Sequence, residues 1–146
     1  MNFRKIRRED AAAYIEMATD FYNSPAVLHS IPQNYIENTV KAVLSGTPFA
    51  DVYMFEENNT VVGYGLLAYT YSQEAGGTVC WLEEIYVRPA ARGRGVGGAF
   101  LDYICGEVPA ARFRLEVEPE NLRVKSLYAR HGFTPMGYES YVLEKN

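Results

Sequence analysis

At 146 residues, with 48% hydrophobic and 22% charged content, the chain is long enough for one substantial core and too short for two, so residues 1–146 are expected to form a single domain. A formal net charge of -4 excludes the general affinity for nucleic acid or anionic membrane that a concentrated excess of Lys and Arg would give. No apolar run reaches transmembrane length and no signal-peptide stretch follows Met1–Lys5, which makes the cytoplasm the expected address.

Phe3 to Ile6 alternates and reads as a first strand. Asp10 then precedes Tyr14, Ile15, Ala18, Phe21 and Tyr22 at helical spacing, which predicts a helix that stops before Pro25. A second helix follows, with Ile36, Val40, Val43 and Leu44 on one side, Pro32 near its start and Gly46 just past its end. From Ala50 to Glu57 and from Thr60 to Tyr71, β-branched and aromatic residues dominate. Asn58-Asn59 between them tolerates the positive φ of a tight hairpin. The chain turns again at Gly76-Gly77 into a long strand, Val79 to Val87, and Arg88-Pro89 ends it.

Val96, Phe100, Leu101 and Ile104 mark a third amphipathic helix. Ala111 to Glu118 alternates, with Phe113, Leu115 and Val117 on one face and Arg114, Glu116 and Glu118 on the other. Pro119-Glu120-Asn121 opens a last helix bearing Val124, Leu127, Tyr128 and His131, and Gly132 is placed to close it in the left-handed conformation. A terminal strand is expected at roughly Tyr138 to Glu144. The order β-α-α-β-β-β-α-β-α-β is that of an α+β fold with helices covering a mixed sheet. Cys80 and Cys105 lie in apolar surroundings without metal-ligand spacing and read as small buried thiols, with neither a disulfide nor a metal expected.

Between a strand and a helix, Gly93, Gly95, Gly97 and Gly98 remove the side chains that would keep a ligand from the backbone. Free N–H groups at the helix N-terminus suit a phosphate, and Arg92 and Arg94 add charge-assisted donors. The string Gly93-Arg94-Gly95-Val96-Gly97-Gly98 also satisfies G-x-G-x-x-G, with Glu118 about twenty residues on, as an NAD-binding fold requires. Against that alternative, the dinucleotide fold usually starts at this loop and continues through several βα units, whereas here two helices and a meander precede it.

In that order of elements, Leu82-Glu83-Glu84-Ile85-Tyr86-Val87-Arg88-Pro89 followed by Arg92-x-x-Gly95-x-Gly97 resembles motif A of the GNAT superfamily of N-acetyltransferases. Glu116-Val117-Glu118-Pro119-Glu120-Asn121, then Ser126-Leu127-Tyr128-Ala129-Arg130-His131-Gly132-Phe133, resembles its motif B. The strand is similar to that of the diamine acetyltransferase branch, with Glu84 where that branch carries aspartate. The resemblance implies a three-layer α/β/α arrangement around a mixed, mostly antiparallel sheet of six to seven strands with about four helices. It implies acetyl-CoA as co-substrate, a small-molecule amine as acceptor, and a homodimer.

The same resemblance implies site residues. Strands Val79–Val87 and Ala111–Glu118 would splay so that the pantetheine arm pairs with backbone groups of Ile85, Tyr86 and Val87, one of whose N–H groups would polarise the thioester carbonyl. The pyrophosphate would lie on Arg92, Gly93, Arg94, Gly95, Val96, Gly97 and Gly98, with Asn121 near the pantetheine or capping its own helix. An alkylamine of pKa about 10 must lose a proton before it attacks. Glu83 matches the family's base, acting through water, and alternation puts it on the opposite face from Glu84, an amine-binding acid or reserve base. Tyr128 matches the tyrosine that protonates the departing thiolate. A non-catalytic acyl-CoA sensor is the alternative from another class.

Overall fold

The structure is a computed structural model that describes residues 1–145. Its contacts divide the chain into two units, Met1–Glu116 and the segment from Val117 onward.

In the first unit, five strands form one sheet in the order β1-β2-β3-β4-β5: β1 Asn2–Lys5, β2 Ala50–Glu57, β3 Thr60–Ser72, β4 Gly77–Val87 and β5 Arg112–Leu115. The first four pair antiparallel, and β5 joins β4 in parallel. The turns fall where the residue types allow positive φ: Asn58 and Asn59, at φ 51 and 63, join β2 to β3, and Gly76, at φ 81, precedes β4. Helices α1 (Ala11–Tyr22), α2 (Gln33–Leu44) and α3 (Val96–Glu107) complete the unit.

Helices α1 and α2 bury Tyr14, Met17, Ile36 and Val40 against Val52, Met54, Tyr64 and Tyr86 of the sheet. On the opposite face Phe100 of α3 packs on Phe3 and Phe55, with ring centroids 5.4 and 4.6 Å away. Each such ring taken from water contributes about 2–3 kcal/mol. Gly65 makes room for Phe100, since a Cβ there would stand 2.2 Å from its ring. This one unit is thus helix, sheet and helix in three layers.

At the start of α1, a buried cluster ties β1 to the helix. Arg4 donates to Asp10 at 2.7 and 3.1 Å and to Glu56 of β2 at 3.0 Å, and Asp10 also accepts from the Arg7 backbone.

The second unit contains α4 (Leu122–Arg130). The Asn121 side chain accepts from the Val124 N–H at 3.2 Å and so caps the helix, and Gly132 closes it at φ 89.

Four expectations are corrected. The sheet has five strands among the described residues, not six to seven. Residues 138–144 carry strand-like alternation but have no ladder partner there, and alternation forms no strand without one. The strand expected over Ala111–Glu118 is confined to Arg112–Leu115, because its pairing with β4 ends there. Cys80 is buried, but Cys105 lies on the exposed side of α3.

Candidate active site

The site is built where β4 and β5 part. Their pairing runs from Val79↔Arg112 to Leu82↔Leu115 and stops, while β4 continues to Val87 paired only with β3. From Glu83 to Val87 the edge of β4 that faced β5 therefore has no strand beside it among the described residues. Alternate backbone N–H and C=O groups point toward that edge, which an extended ligand can fill as an added strand. One carbonyl there, that of Val87, already accepts from Arg92 Nε at 2.7 Å.

An irregularity sits at the fork itself. On β3, Leu66 opposes Glu84 and its neighbour Leu67 opposes Leu82, so Glu83 is the extra residue of a β-bulge. Leu82 and Glu84, two residues apart, consequently face opposite sides of the sheet. Simple alternation is therefore broken at the pair Glu83-Glu84, and the charges of both acids raise the pKa of the Tyr22 hydroxyl.

Glu84 is buried among tyrosines. Tyr64 donates to its Oε1 at 2.7 Å, and the Tyr22 hydroxyl makes a short bond to its Oε2. Burial raises the Glu84 pKa, the two phenols oppose that rise, and the charge of Glu83 adds to it. Burial and then the carboxylate push Tyr64 and Tyr22 well above the ordinary phenol value, keeping them neutral donors. Glu83 is open to solvent. Its pKa is raised all the same, first by the partial loss of water around it and then by the charge of Glu116, the first residue after β5. Of the two acids, Glu83 is free to exchange a proton with a ligand, and Glu84 is occupied on both oxygens.

Past β4, Gly93 and Gly95 take φ values of 77 and 76, left-handed conformations that strain any residue with a Cβ. Gly95 is the N-cap of α3, and neither a side-chain cap nor an acid occupies the first turn. A Cβ at Gly93 or Gly95 would meet nothing within 4 Å, and one at Gly97 would lie 3.9 Å from Ile85. Val96 and Gly98 are buried in the same turn. The loop thus offers open backbone N–H groups at a positive helix end, which fits a pyrophosphate. Arg94 is paired with Glu57 at 3.0 Å, and the Arg92 guanidinium stands 5.5 Å from the Tyr86 ring centroid. A dinucleotide fold does not surround this loop, because one parallel strand pair stands in an otherwise antiparallel sheet.

In the second unit, Tyr128 is partly buried in α4, its ring 6.1 Å from that of Phe133, and burial raises its pKa. Asn121 engages its side-chain carbonyl in the helix cap.

Reasoning from sequence missed Tyr22 and Tyr64. In the sequence Tyr22 belongs to the helical pattern and to the stretch Tyr22 to Gln33 that could line an acceptor pocket, and Tyr64 is one aromatic of a strand; neither is marked there as a carboxylate's partner. The signal that identifies them is Glu84 itself, since an acid buried in an apolar strand requires donors.

Comparison with known proteins agrees with this geometry. The chain is 29% identical to the uncharacterised N-acetyltransferase YhfO of Bacillus subtilis, over 98% of this chain and 97% of that one. It is 38% identical to the thialysine N-ε-acetyltransferase of Mus musculus over 76 residues, which are 49% of this chain and 44% of the mouse enzyme. In fold it is similar to the crystal structure of a possible acetyltransferase from Clostridium difficile 630, with a TM-score of 0.84 at 20% identity over 98% and 96% of the two chains. Residues 11–133, which hold the fork, the glycine loop and α4, match the acetyltransferase (GNAT) family, and the chain belongs to that family.

Proposed function

We propose that this protein moves the acetyl group of acetyl-CoA to a primary amine of a small molecule by direct transfer, with residues 1–146 as one N-acetyltransferase domain of the cytoplasm. The observation that carries the reading is the fork. Strand pairing ends at Leu82↔Leu115, one residue before an open carboxylate and on the strand that leads into an uncapped, glycine-lined helix N-terminus.

Acetyl-CoA supplies the acyl group as an activated thioester. The backbone of Ile85, Tyr86 and Val87 holds the pantetheine arm, and Gly93 to Gly98 with Arg92 and Arg94 hold the pyrophosphate. A backbone N–H of Ile85 or Tyr86 polarises the carbonyl. Glu83 takes the ammonium proton through a water, the amine nitrogen bonds to the carbonyl carbon, and the carbon–sulfur bond breaks. Tyr128, a phenol that stays protonated at neutral pH, gives its proton to the sulfur and regains one, through water, as the nitrogen sheds its second proton to form the amide.

A small acceptor that presents an ammonium group is supported by the net charge of -4 and by the acids grouped at the fork. The matched half of the mouse relative belongs to an enzyme named for thialysine, itself a small amine.

The test is thiol release from acetyl-CoA with a panel of amines, beside calorimetry with coenzyme A and with NAD. Release with at least one amine is expected, and loss of at least a hundredfold in Glu83→Gln. Coenzyme A binding with no release from any amine would establish the sensor instead.

A further inference from the structure

We infer that Arg114, laid over the Trp81 ring one strand pair before the fork, is a specificity-determining residue that takes a carboxylate of the acceptor. The preferred acceptors are then aliphatic amino acids whose primary amine and carboxylate stand roughly 7 Å apart. This rests on the proposed role of Glu83 for the amine end.

The two arginines of β5 are in different states. Arg112 is paired with Glu74 at 2.9 Å. Arg114 meets no carboxylate among the described residues, and its guanidinium carbon stands 4.1 Å from the centroid of the Trp81 ring. The ring is itself fixed, as its Nε1 donates to Thr70 Oγ1 at 3.3 Å. Stacking uses the flat face of a guanidinium and leaves its edge, with the N–H donors that bind a carboxylate bidentately. Arg114 and Trp81 are both half-buried. A cation with reduced hydration and only a π face beside it favours an incoming anion.

Position ties this cation to the reacting acids. Trp81 pairs with Ala68 and Glu84 with Leu66, and Ala68, Leu66 and Tyr64 share one face of β3 by alternation. Trp81 therefore lies on the same face as Glu84, the face that α1 and α2 cover further along. Trp81↔Arg114 is the last pair but one before the strands part. Glu83 and Glu116 are the first residues past the fork, one on β4 and one just after β5, and both are exposed. Charge is segregated across the fork, with acids beyond it and an unmatched arginine before it. Leu82 alone stands between Trp81 and Glu83, so the rise along the strand from one to the other is at most roughly 7 Å. A zwitterion of that length satisfies both ends, whereas a diamine of the same length sets its second ammonium against Arg114.

The experiment compares 6-aminohexanoate with 1,6-diaminohexane as acceptors for the wild type, Arg114→Gln and Arg114→Lys, reading kcat and KM by thiol release. The wild type should prefer the amino acid. Arg114→Gln should lower its kcat/KM on the order of ten- to a hundredfold through KM and leave the diamine unchanged or improved, and Arg114→Lys should restore part of the loss. Equal loss on both acceptors, or a wild-type preference for the diamine, overturns the inference, and the second of these needs no variant to fold. Calorimetry of 6-aminohexanoate with coenzyme A present separates the two readings. Arg114-dependent binding without turnover of either acceptor removes the transfer reading and keeps this one, whereas absence of both binding and turnover removes this one.

Discussion

The Tyr64 hydroxyl donates to Oε1 of Glu84 at 2.7 Å, where the tyrosine is 0% and the glutamate 8% exposed. The bond favours the ionised carboxylate against the burial that raises its pKa. Removing it in Tyr64→Phe is expected to cost about 1–3 kcal/mol at neutral pH, since a buried charge loses one of two donors. The sign with pH follows from which state the phenol stabilises. Glu84 has a raised pKa, so the wild type loses stability as pH rises through that value, and the variant, whose Glu84 pKa lies higher still, loses more. Urea unfolding on both sides of the transition should show a gap that widens with pH. A gap independent of pH would reduce the hydroxyl to packing.

Glu83 and Glu116 give a second pH prediction. A base must be deprotonated, so kcat/KM should fall as pH drops through the Glu83 pKa, which lies above the ordinary carboxylate value because of lost hydration and then the charge of Glu116. Glu116→Gln removes the second cause and should move this acidic limb to lower pH. An unmoved limb in Glu116→Gln, or the same limb in a residual activity of Glu83→Gln, would take the role away from Glu83.

Much of this was legible in the chain because local chemistry and tertiary structure agree. The Asn58-Asn59 hairpin, the Gly46 and Gly132 helix ends and the start of α3 after Gly95 all fall where residue type fixes backbone conformation. The bulge at Glu83 was not legible, since Leu82 to Val87 reads as continuous strand and the extra residue is defined only by its pairing with Leu66 and Leu67 on β3. Residues 138–144 erred the other way. Their alternation is real, but a strand is a relation between two segments, and the partner is not encoded in the segment. Tyr22 was hidden for a similar reason: at helical spacing a tyrosine that packs and one that holds a carboxylate look alike.

Gly63 and Gly65 of β3 predict a graded pair of failures. A Cβ at Gly65 would stand 2.2 Å from Cε2 of Phe100, a side chain that can shift at the expense of its own packing. A Cβ at Gly63 would stand 2.3 Å from the backbone carbonyl oxygen of Tyr86, which cannot move without disturbing the β3–β4 ladder. Gly65→Ala is expected to cost about 1–3 kcal/mol and Gly63→Ala more. Because Gly63 opposes Val87, Gly63→Ala should also weaken coenzyme A binding out of proportion to its effect on stability. Thermal unfolding and calorimetry on both variants measure the two effects separately. The reverse ranking in stability would mean that strand β4 yields more easily than the Phe100 ring.

Asp10 and Arg4 test how the first helix is fixed to the sheet. Asp10 accepts two bonds from Arg4 and one from the Arg7 N–H, and Arg4 also holds Glu56. The two side chains are 7% and 13% exposed, so Asp10→Asn leaves a nearly buried guanidinium short of its main counter-charge. Breaking a buried pair from one side costs about 3–5 kcal/mol. The Arg4 hydrogen bond, opposed by burial, lowers the Asp10 pKa. A depressed carboxylate stabilises the fold above its unfolded pKa, about 3.9, and loses that contribution as pH falls through the folded value. The difference between wild type and Asp10→Asn should therefore be constant near neutrality and shrink only below about pH 4. An unfolding series across that range decides the point: a difference that persists undiminished in acid would assign the cost to the lost shape of the carboxylate cluster, not to its charge.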